Sequence, residues 1–225
     1  MSDQSYRCEL KYYINQADYI ELRSRLRHIA LPDPYAGPDG RYMVRSLYFD
    51  NYVDKAVTDK LSGLSRREKF RFRYYNSDTA FIRLEKKSKI NKGCDKQSAQ
   101  VAYALCEEVI NGEYGNLLTS GSPLLAELYA KIRYQLLRPR TIVNYIREAY
   151  VHPAGNTRIT IDSAIQSSNN TTGFLNPDIP AIPSAGGIIL EIKYDGFLPG
   201  FILDAIRLGD RTATEFSKYV VARLL

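Results

Sequence analysis

The sequence predicts an α+β fold: an antiparallel β-barrel of about eight strands, with helices covering its outer face. Three observations predict it. At least six segments alternate charged with apolar side chains at the two-residue period of a strand. Several helical stretches carry an apolar stripe suited to covering a sheet. Clusters of Pro, Gly, Asn and Asp punctuate the chain between them. With 44% hydrophobic and 12% aromatic residues, the 225-residue chain has material for a substantial core, and its length fits one domain over 1–225.

The opening strand, residues 6–14, places Glu9 and Lys11 on one face and Cys8, Leu10 and Tyr12 on the other. Asn15 is suited to cap a helix reaching about Ile29, with Tyr19, Leu22, Leu26 and Ile29 on its apolar stripe. Pro32 and Pro34 end that stretch, and the GPDG turn at 37–40 leads to a strand, YMVRSLYFD, with Val44, Ser46 and Tyr48 opposite Arg45, Leu47 and Phe49. Residues 51–66 read as an irregular or short helical crossover. The sharpest alternation follows in KFRFRYY, where Lys69, Arg71 and Arg73 oppose Phe70, Phe72 and Tyr74. An NSD turn at 76–78 forms a hairpin into FIRLEKKSK, with Arg83, Glu85, Lys87 and Lys89 on one face.

Beyond Gly93 the pattern reads as a helix from about Ser98 to Ile110, then a second from Pro123 with Leu124, Leu128, Ile132 and Leu136 at helical spacing. Strand character returns in RTIVNYIREAYV, with Val143, Tyr145 and Arg147 on one face. It continues after a PAGN turn in TRITID, with Arg158, Thr160 and Asp162 together. Residues 166–187, rich in Ser, Asn, Pro and Gly, read as a surface loop before GIILEIKYDG, which sets Glu191 and Lys193 on one face. A short apolar segment, GFILDAIRLG, and a terminal helix capped near Thr212 or Thr214 and carrying Lys218 complete the chain.

The formal charge of +6 favours anionic partners without naming one. Three cysteines are too few and too scattered for a disulfide scaffold or thiolate metal site. The two histidines, His28 and His152, form no paired-ligand motif, which argues against a zinc hydrolase. With no secretory signal and no apolar run long enough to span a bilayer, the expectation is a cytoplasmic protein without direct membrane insertion.

An antiparallel sheet ordinarily gives its charged face to water. Here the recurrence of Arg and Lys at alternate positions, with helices available for the opposite face, predicts a closed barrel whose charged side points inward as a polar channel. Packed like charges repel and are costly to desolvate, so such a channel calls for a polyanion, with arginine forks and lysine point charges on phosphoryl oxygens. Glu9, Glu85 and Glu191 each have a lysine two residues on. They read either as ion-pair partners or as ligands for Mg²⁺ or Mn²⁺.

CELKYYI, RSLYFD, KFRFRYY, RLEKKSK, NYIREAY, TRITID, ILEIKY and EFSKYV, in this order, resemble the VTC domain, the polyphosphate polymerase branch of the triphosphate tunnel metalloenzymes. That resemblance implies a basic-lined tunnel of antiparallel strands, a glutamate-held divalent cation, and partners that are ATP or another nucleoside triphosphate together with polyphosphate or pyrophosphate. It further implies that Lys11, Arg45, Arg71, Arg73, Lys87, Tyr145, Arg147, Arg158, Ser217 and Lys218 contact phosphate, and that Glu191 binds metal with Lys193 beside it. The opening strand reads ELK and not the paired-glutamate ExExK of the hydrolytic relatives, which favours polymerase over triphosphatase or adenylate cyclase.

The reaction expected is transfer of the γ-phosphate of ATP to a polyphosphate chain. Lys11, Arg71, Arg73, Lys87, Arg147, Arg158 and Lys218 would act on the transferring phosphate, Arg45, Tyr145, Lys193 and Ser217 would bind substrate, and Glu191, Glu9 and Glu85 would hold metal. Hydrolysis of tripolyphosphate or nucleoside triphosphate, and noncatalytic polyphosphate binding, are the alternatives. A nucleic-acid partner ranks last, because Tyr12 and Tyr74 alternate onto the face assigned to helices.

Overall fold

The computed structural model describes residues 7–91, 93–183, 187–209 and 211–224. Tyr6, placed by its pattern in the first strand, lies outside them. The elements are β1 (Arg7–Ile14), α1 (Gln16–Ile29), β2 (Leu31–Pro32), β3 (Arg41–Asp50), α2 (Lys55–Leu61), β4 (Arg66–Tyr75), β5 (Ile82–Ile90), β6 (Gly93–Val101), α3 (Tyr103–Ile110), α4 (Asn116–Thr119), α5 (Pro123–Tyr134), β7 (Arg138–His152), β8 (Thr157–Ser168), β9 (Ile182–Pro183), β10 (Ile188–Asp195), α6 (Gly200–Ile206) and α7 (Lys218–Leu224). Among the described residues no helix is long and apolar enough to cross a membrane.

The strands form a ten-stranded sheet in the order β1-β10-β8-β7-β3-β4-β5-β6, with β2 beside β7 and β9 beside β8. The α+β class is observed, but the predicted closed barrel is not: β1 and β6 are the two ends of this path and, among the described residues, are not paired. The ends themselves give the reason. β6 is a mostly exposed, polar strand, GCDKQSAQV, whose Asp and Lys discourage further pairing. On β1 the Lys11 carbonyl accepts the Thr214 N–H at 2.8 Å, so the later chain already engages its backbone.

Two compact units divide the chain. The first holds the described residues up to Met43, Tyr145–Ile165 and those from 187 to Ser217; the second holds Val44–Asn144, residues 166–183 and those from Lys218 on. In the first unit β1, β10 and β8 pair antiparallel, with Lys11 opposite Glu191, Glu191 opposite Thr160 and Lys193 opposite Arg158. One face is thereby charged. The other carries Ile159, Ile161, Leu190 and Ile192, covered by Leu22 and Leu26 of α1 and Ile202 and Ile206 of α6. Burying each such side chain contributes about 1.5–3 kcal/mol. Helix α1 starts where the sequence places it. Asn15 Oδ1 accepts from the Asp18 N–H at 2.8 Å and Asp18 Oδ2 accepts from the Asn15 N–H at 2.9 Å, a reciprocal cap. In the turn between β7 and β8, Gly155 has φ +63° and a Cβ there would meet the Phe197 carbonyl oxygen at 2.3 Å, so only glycine fits.

In the second unit β3, β4, β5 and β6 pair antiparallel, with Tyr48 opposite Arg71, Arg71 opposite Glu85 and Lys87 opposite Lys96. The alternation in β4 is realised: Phe70, Phe72 and Tyr74 are buried, and Phe72 meets Phe49 edge-on with ring centroids 5.0 Å apart. Helix α5 buries Leu124, Leu125, Leu128 and Ile132 and packs on β5 and β6.

Four element boundaries differ from expectation, the first being the terminal helix, which begins at Lys218 and not near Thr212 or Thr214, because the Thr214 N–H is bonded to the Lys11 carbonyl. Residues 98–101 extend β6 and do not begin α3, which starts at Tyr103. Gln, Ser and Ala there have no strand preference of their own, and pairing with β5 decides their state. Leu136 lies beyond α5, with φ +57° and half its surface exposed. Strand β8 runs on to Ser168, and the reading of 166–187 as one loop gives way to that strand end, a 3₁₀ turn at Thr171–Leu175 and β9.

Candidate functional site

In the first unit the charged face is centred on Glu191 of β10, which is 7% exposed. Its carboxylate has three cations near it: Lys193 Nζ at 3.3 Å, Lys11 Nζ at 3.7 Å and Arg147 Nη2 at 3.9 Å. Lys11 also pairs with Glu9 and donates to the Phe216 carbonyl at 3.4 Å. Burial works against the Lys11 charge, but Glu9 and Glu191 outweigh it and raise its pKa. The register explains the cluster: Glu9, Lys11, Glu191, Lys193, Arg158, Thr160 and Asp162 occupy cross-strand positions on one face of β1, β10 and β8.

Arg147 of β7 is fixed by Asp162, whose two oxygens accept from Nε at 2.7 Å and Nη2 at 2.8 Å. Burial opposes its charge, yet Asp162, Tyr145 and Glu191 hold its pKa well above the ordinary value. The buried Tyr145 ring lies 5.3 Å from the guanidinium, a cation–π arrangement. Arg158 is held by Asp33 and donates to the Tyr42 hydroxyl at 3.1 Å. Asp33 is placed by β2, since its N–H donates to the Ala149 carbonyl of β7 at 2.9 Å.

In the second unit the hub is Glu85, 5% exposed. Oε2 accepts from Arg71 Nε at 2.7 Å and lies 2.6 Å from Arg71 Nη2 and 3.5 Å from Arg73 Nη1, while Oε1 accepts from Lys96 Nζ at 2.7 Å. Burial would raise its pKa, but Arg71, Arg73 and Lys96 hold the carboxyl well below the usual range. Arg71 Nη1 donates to the Tyr48 hydroxyl at 2.9 Å and Arg73 Nε to Ser46 Oγ at 3.1 Å. Burial pushes the Tyr48 phenol up, but Arg71, Lys69 and Arg73 dominate and pull it down to about 7.

The structure thus brings Glu9, Lys11, Tyr145, Arg147, Arg158, Glu191 and Lys193 together in one unit, with Ser217 just after the segment that bonds to Lys11. It brings Arg71, Arg73 and Glu85 together in the other, with Lys87 exposed opposite Lys69 and Lys96. Lys218 opens α7 and is half-buried. Arg45 stands apart. It is 1% exposed, on the apolar face of β3 with Leu47 and Phe49, and donates to the carbonyls of Phe174 at 2.9 Å, Gly173 at 2.6 Å and Asn176 at 2.9 Å. Its guanidinium anchors the segment after β8.

Asp162, Asp33, Tyr48 and Lys96 were not among the expected site residues. Asp162 was legible, because alternation in TRITID sets it beside Arg158; Asp33, between two prolines, carries no periodic signal.

Among the described residues no group of three or more His, Cys, Asp and Glu is arranged to hold a metal ion. Glu191 and Glu9 are the two carboxylates beside Lys11, Asp162 is committed to Arg147, and both oxygens of Glu85 are committed to cations. A pair of carboxylates fits Mg²⁺ or Mn²⁺ that arrives with phosphate oxygens and keeps part of its water, and does not fit an all-protein cage.

No curated protein matches the chain. Among solved structures it is similar to a candidate adenylate cyclase from Bacillus halodurans, at 13% identity and TM-score 0.50, covering 86% of this chain and 81% of that one. A protein from Pyrococcus horikoshii is 14% identical with TM-score 0.43, covering 89% and 84%. The first of these likenesses concerns the fold alone. The sequence profile of the VTC domain matches residues 6–225, nearly the whole chain, and the protein belongs to the VTC domain family.

Proposed function

We propose that this chain binds nucleoside triphosphate and polyphosphate and transfers the γ-phosphate of ATP to the phosphate chain. The observation that carries this reading is Glu191, a buried carboxylate with Lys11, Lys193 and Arg147 around it at 3.3–3.9 Å on one face of adjacent strands. Membership of the VTC domain family supports a nucleotide- or polyphosphate-handling role.

Phosphoryl transfer asks the protein for position and charge more than for covalent chemistry. Asp162 occupies Nε and Nη2 of Arg147, which holds the guanidinium plane in place and leaves Nη1 for a phosphoryl oxygen. Asp33 does the corresponding work for Arg158. Lys11, kept charged by Glu9 and Glu191, supplies a point charge at the transferring group. The acceptor phosphate brings its own anionic oxygen, so no histidine base is required. Glu191 and Glu9 would hold a divalent ion, which would supply positive charge against the negative charge of the transferring phosphate.

The test is incubation with γ-labelled ATP and Mn²⁺ or Mg²⁺, with and without a short polyphosphate primer, followed by gel separation. Primer-stimulated labelled chains are expected, and they should vanish in Glu191→Ala. Release of orthophosphate alone would reject transfer in favour of hydrolysis.

A further inference from the structure

In the second unit β3 ends at Asp50, and this buried carboxylate gathers two helices to the strand. It accepts from the Ala56 N–H of α2 at 3.0 Å and from the Tyr219 hydroxyl of α7 at 2.8 Å. One turn further along α7, Arg223 forks onto Asp54, with Nε at 3.0 Å and Nη2 at 2.7 Å from its two oxygens. Residues four apart share one face of a helix, so both bonds pin the same side of α7.

Tyr219 carries this anchorage to the charged face of β3 and β4. Its ring stacks on Tyr48, with centroids 4.8 Å apart and planes 24° from parallel. The Tyr48 hydroxyl accepts from Arg71 Nη1 at 2.9 Å, and the Arg71 guanidinium carbon lies 5.6 Å from the centre of the Tyr48 ring. Glu85 accepts from Arg71 Nε and approaches Nη2, so Tyr48 holds the remaining nitrogen. Both tyrosines are buried, and neither ring can swing without displacing packed neighbours.

We infer that α7 is a positioning element for Arg71: Tyr219, held by Asp50, sets the Tyr48 ring, and Tyr48 sets the guanidinium. The same docking fixes Lys218, which precedes Tyr219 at the start of the helix. Tyr219 acts through Tyr48 and Arg71 and touches no phosphate itself. The inference rests on the function proposed above in one respect only, the phosphate ligand that Arg71 meets; the chain of contacts from α7 to Arg71 exists without it.

The test uses the full chain and is read first without ligand, by ¹⁵N NMR of the arginine side chains. In wild type the Arg71 Nη–H signals should be resolved, because Glu85 and Tyr48 together stop rotation of the guanidinium. Tyr219→Leu should merge them, and Tyr219→Phe, which keeps the stacked ring, should leave them resolved. Should Tyr219→Leu fail to fold, Arg223→Gln loosens α7 with the ring intact and should broaden the same signals. The second readout is the affinity for inorganic tripolyphosphate in a double-mutant cycle. Tyr219→Leu and Tyr48→Phe should each weaken binding about tenfold, and the double variant should bind no worse than either. Arg71 signals already averaged in wild type, or unchanged in the folded α7 variant, overturn the inference, as do losses of affinity that simply add. A chain whose Arg71 signals respond as expected but which ignores tripolyphosphate supports the positioning by α7 and counts against the function proposed above.

Discussion

Each compact unit has a buried glutamate among three cations, and the two differ in how tightly they are closed. Around Glu85, Arg71 and Lys96 approach to 2.6–2.7 Å and Arg73 to 3.5 Å; around Glu191 the cations stand at 3.3–3.9 Å. Lys11 also pairs with Glu9 and Arg147 with Asp162, while Arg71, Arg73 and Lys96 all converge on the Glu85 carboxylate. A closed cluster orients its arginines; a looser one leaves carboxylate oxygens to a ligand. Under the proposed function, Glu85 holds the basic face in order and Glu191 serves the chemistry.

Paired substitutions put that assignment at risk, and they carry the largest expected effects. Glu191→Gln should lower γ-phosphate transfer by at least about 100-fold, as loss of an electrostatic group at a reacting centre does. Its urea midpoint should stay close to wild type. Glu85→Gln should show the reverse emphasis, with a stability loss on the order of 3 kcal/mol from removing the buried carboxylate charge on which these cations converge. If Glu191→Gln proves the less stable of the two, the distinction between the hubs fails.

The sequence could not have made this distinction. LEKK and LEIK present the same motif, a glutamate with a lysine two residues on, and alternation places both glutamates correctly on charged faces. What separates them is which arginines arrive from neighbouring strands, and that depends on register over long sequence separations. Local pattern served well where one face is apolar throughout, as in β4 and α1. It failed at β6, whose residues are strand only because β5 pairs with them. At Arg45 alternation was right about the face, shared with Leu47 and Phe49, but gave no sign of its partners, the carbonyls of Gly173, Phe174 and Asn176, which lie far along the chain. Barrel closure was inferred from the need to shelter charge. The polar edge strand β6, and the engagement of β1 by Thr214, show that the ends of the sheet are finished in another way.

A smaller effect sharpens the comparison through pH. Because the Glu85 carboxyl is depressed below its unfolded value near 4.5, its stabilising contribution is complete above that value and is lost as pH falls toward the folded one. Acid unfolding followed by circular dichroism should therefore show wild type losing its advantage over Glu85→Gln as the pH drops below about 4.5. Two curves that stay parallel through that window would show that Glu85 is not the charge holding the cluster.

The smallest effect concerns Tyr48, which lies against the same hub. The residue is 3% exposed and stacked on Tyr219 at 4.8 Å, with Lys69, Arg71 and Arg73 around it, and its phenol is pulled down to about 7. Tyr219 answers in the opposite sense, raised by burial and by Asp50. A group whose pKa is lower in the folded chain stabilises above its unfolded value near 10 and loses that contribution as pH falls through 7. Spectroscopic titration should show a tyrosinate step near 7 with about one-eighteenth of the total amplitude, one of the chain's 18 tyrosines, and Tyr48→Phe should erase it. Phenylalanine keeps the ring on Tyr219, so the fold should be retained. If phosphate binds over Arg71 and Arg73, its negative charge opposes the phenolate and must move the step upward. A step present in the free chain but unmoved by saturating tripolyphosphate would show that the Glu85 cluster orders the sheet without touching the ligand.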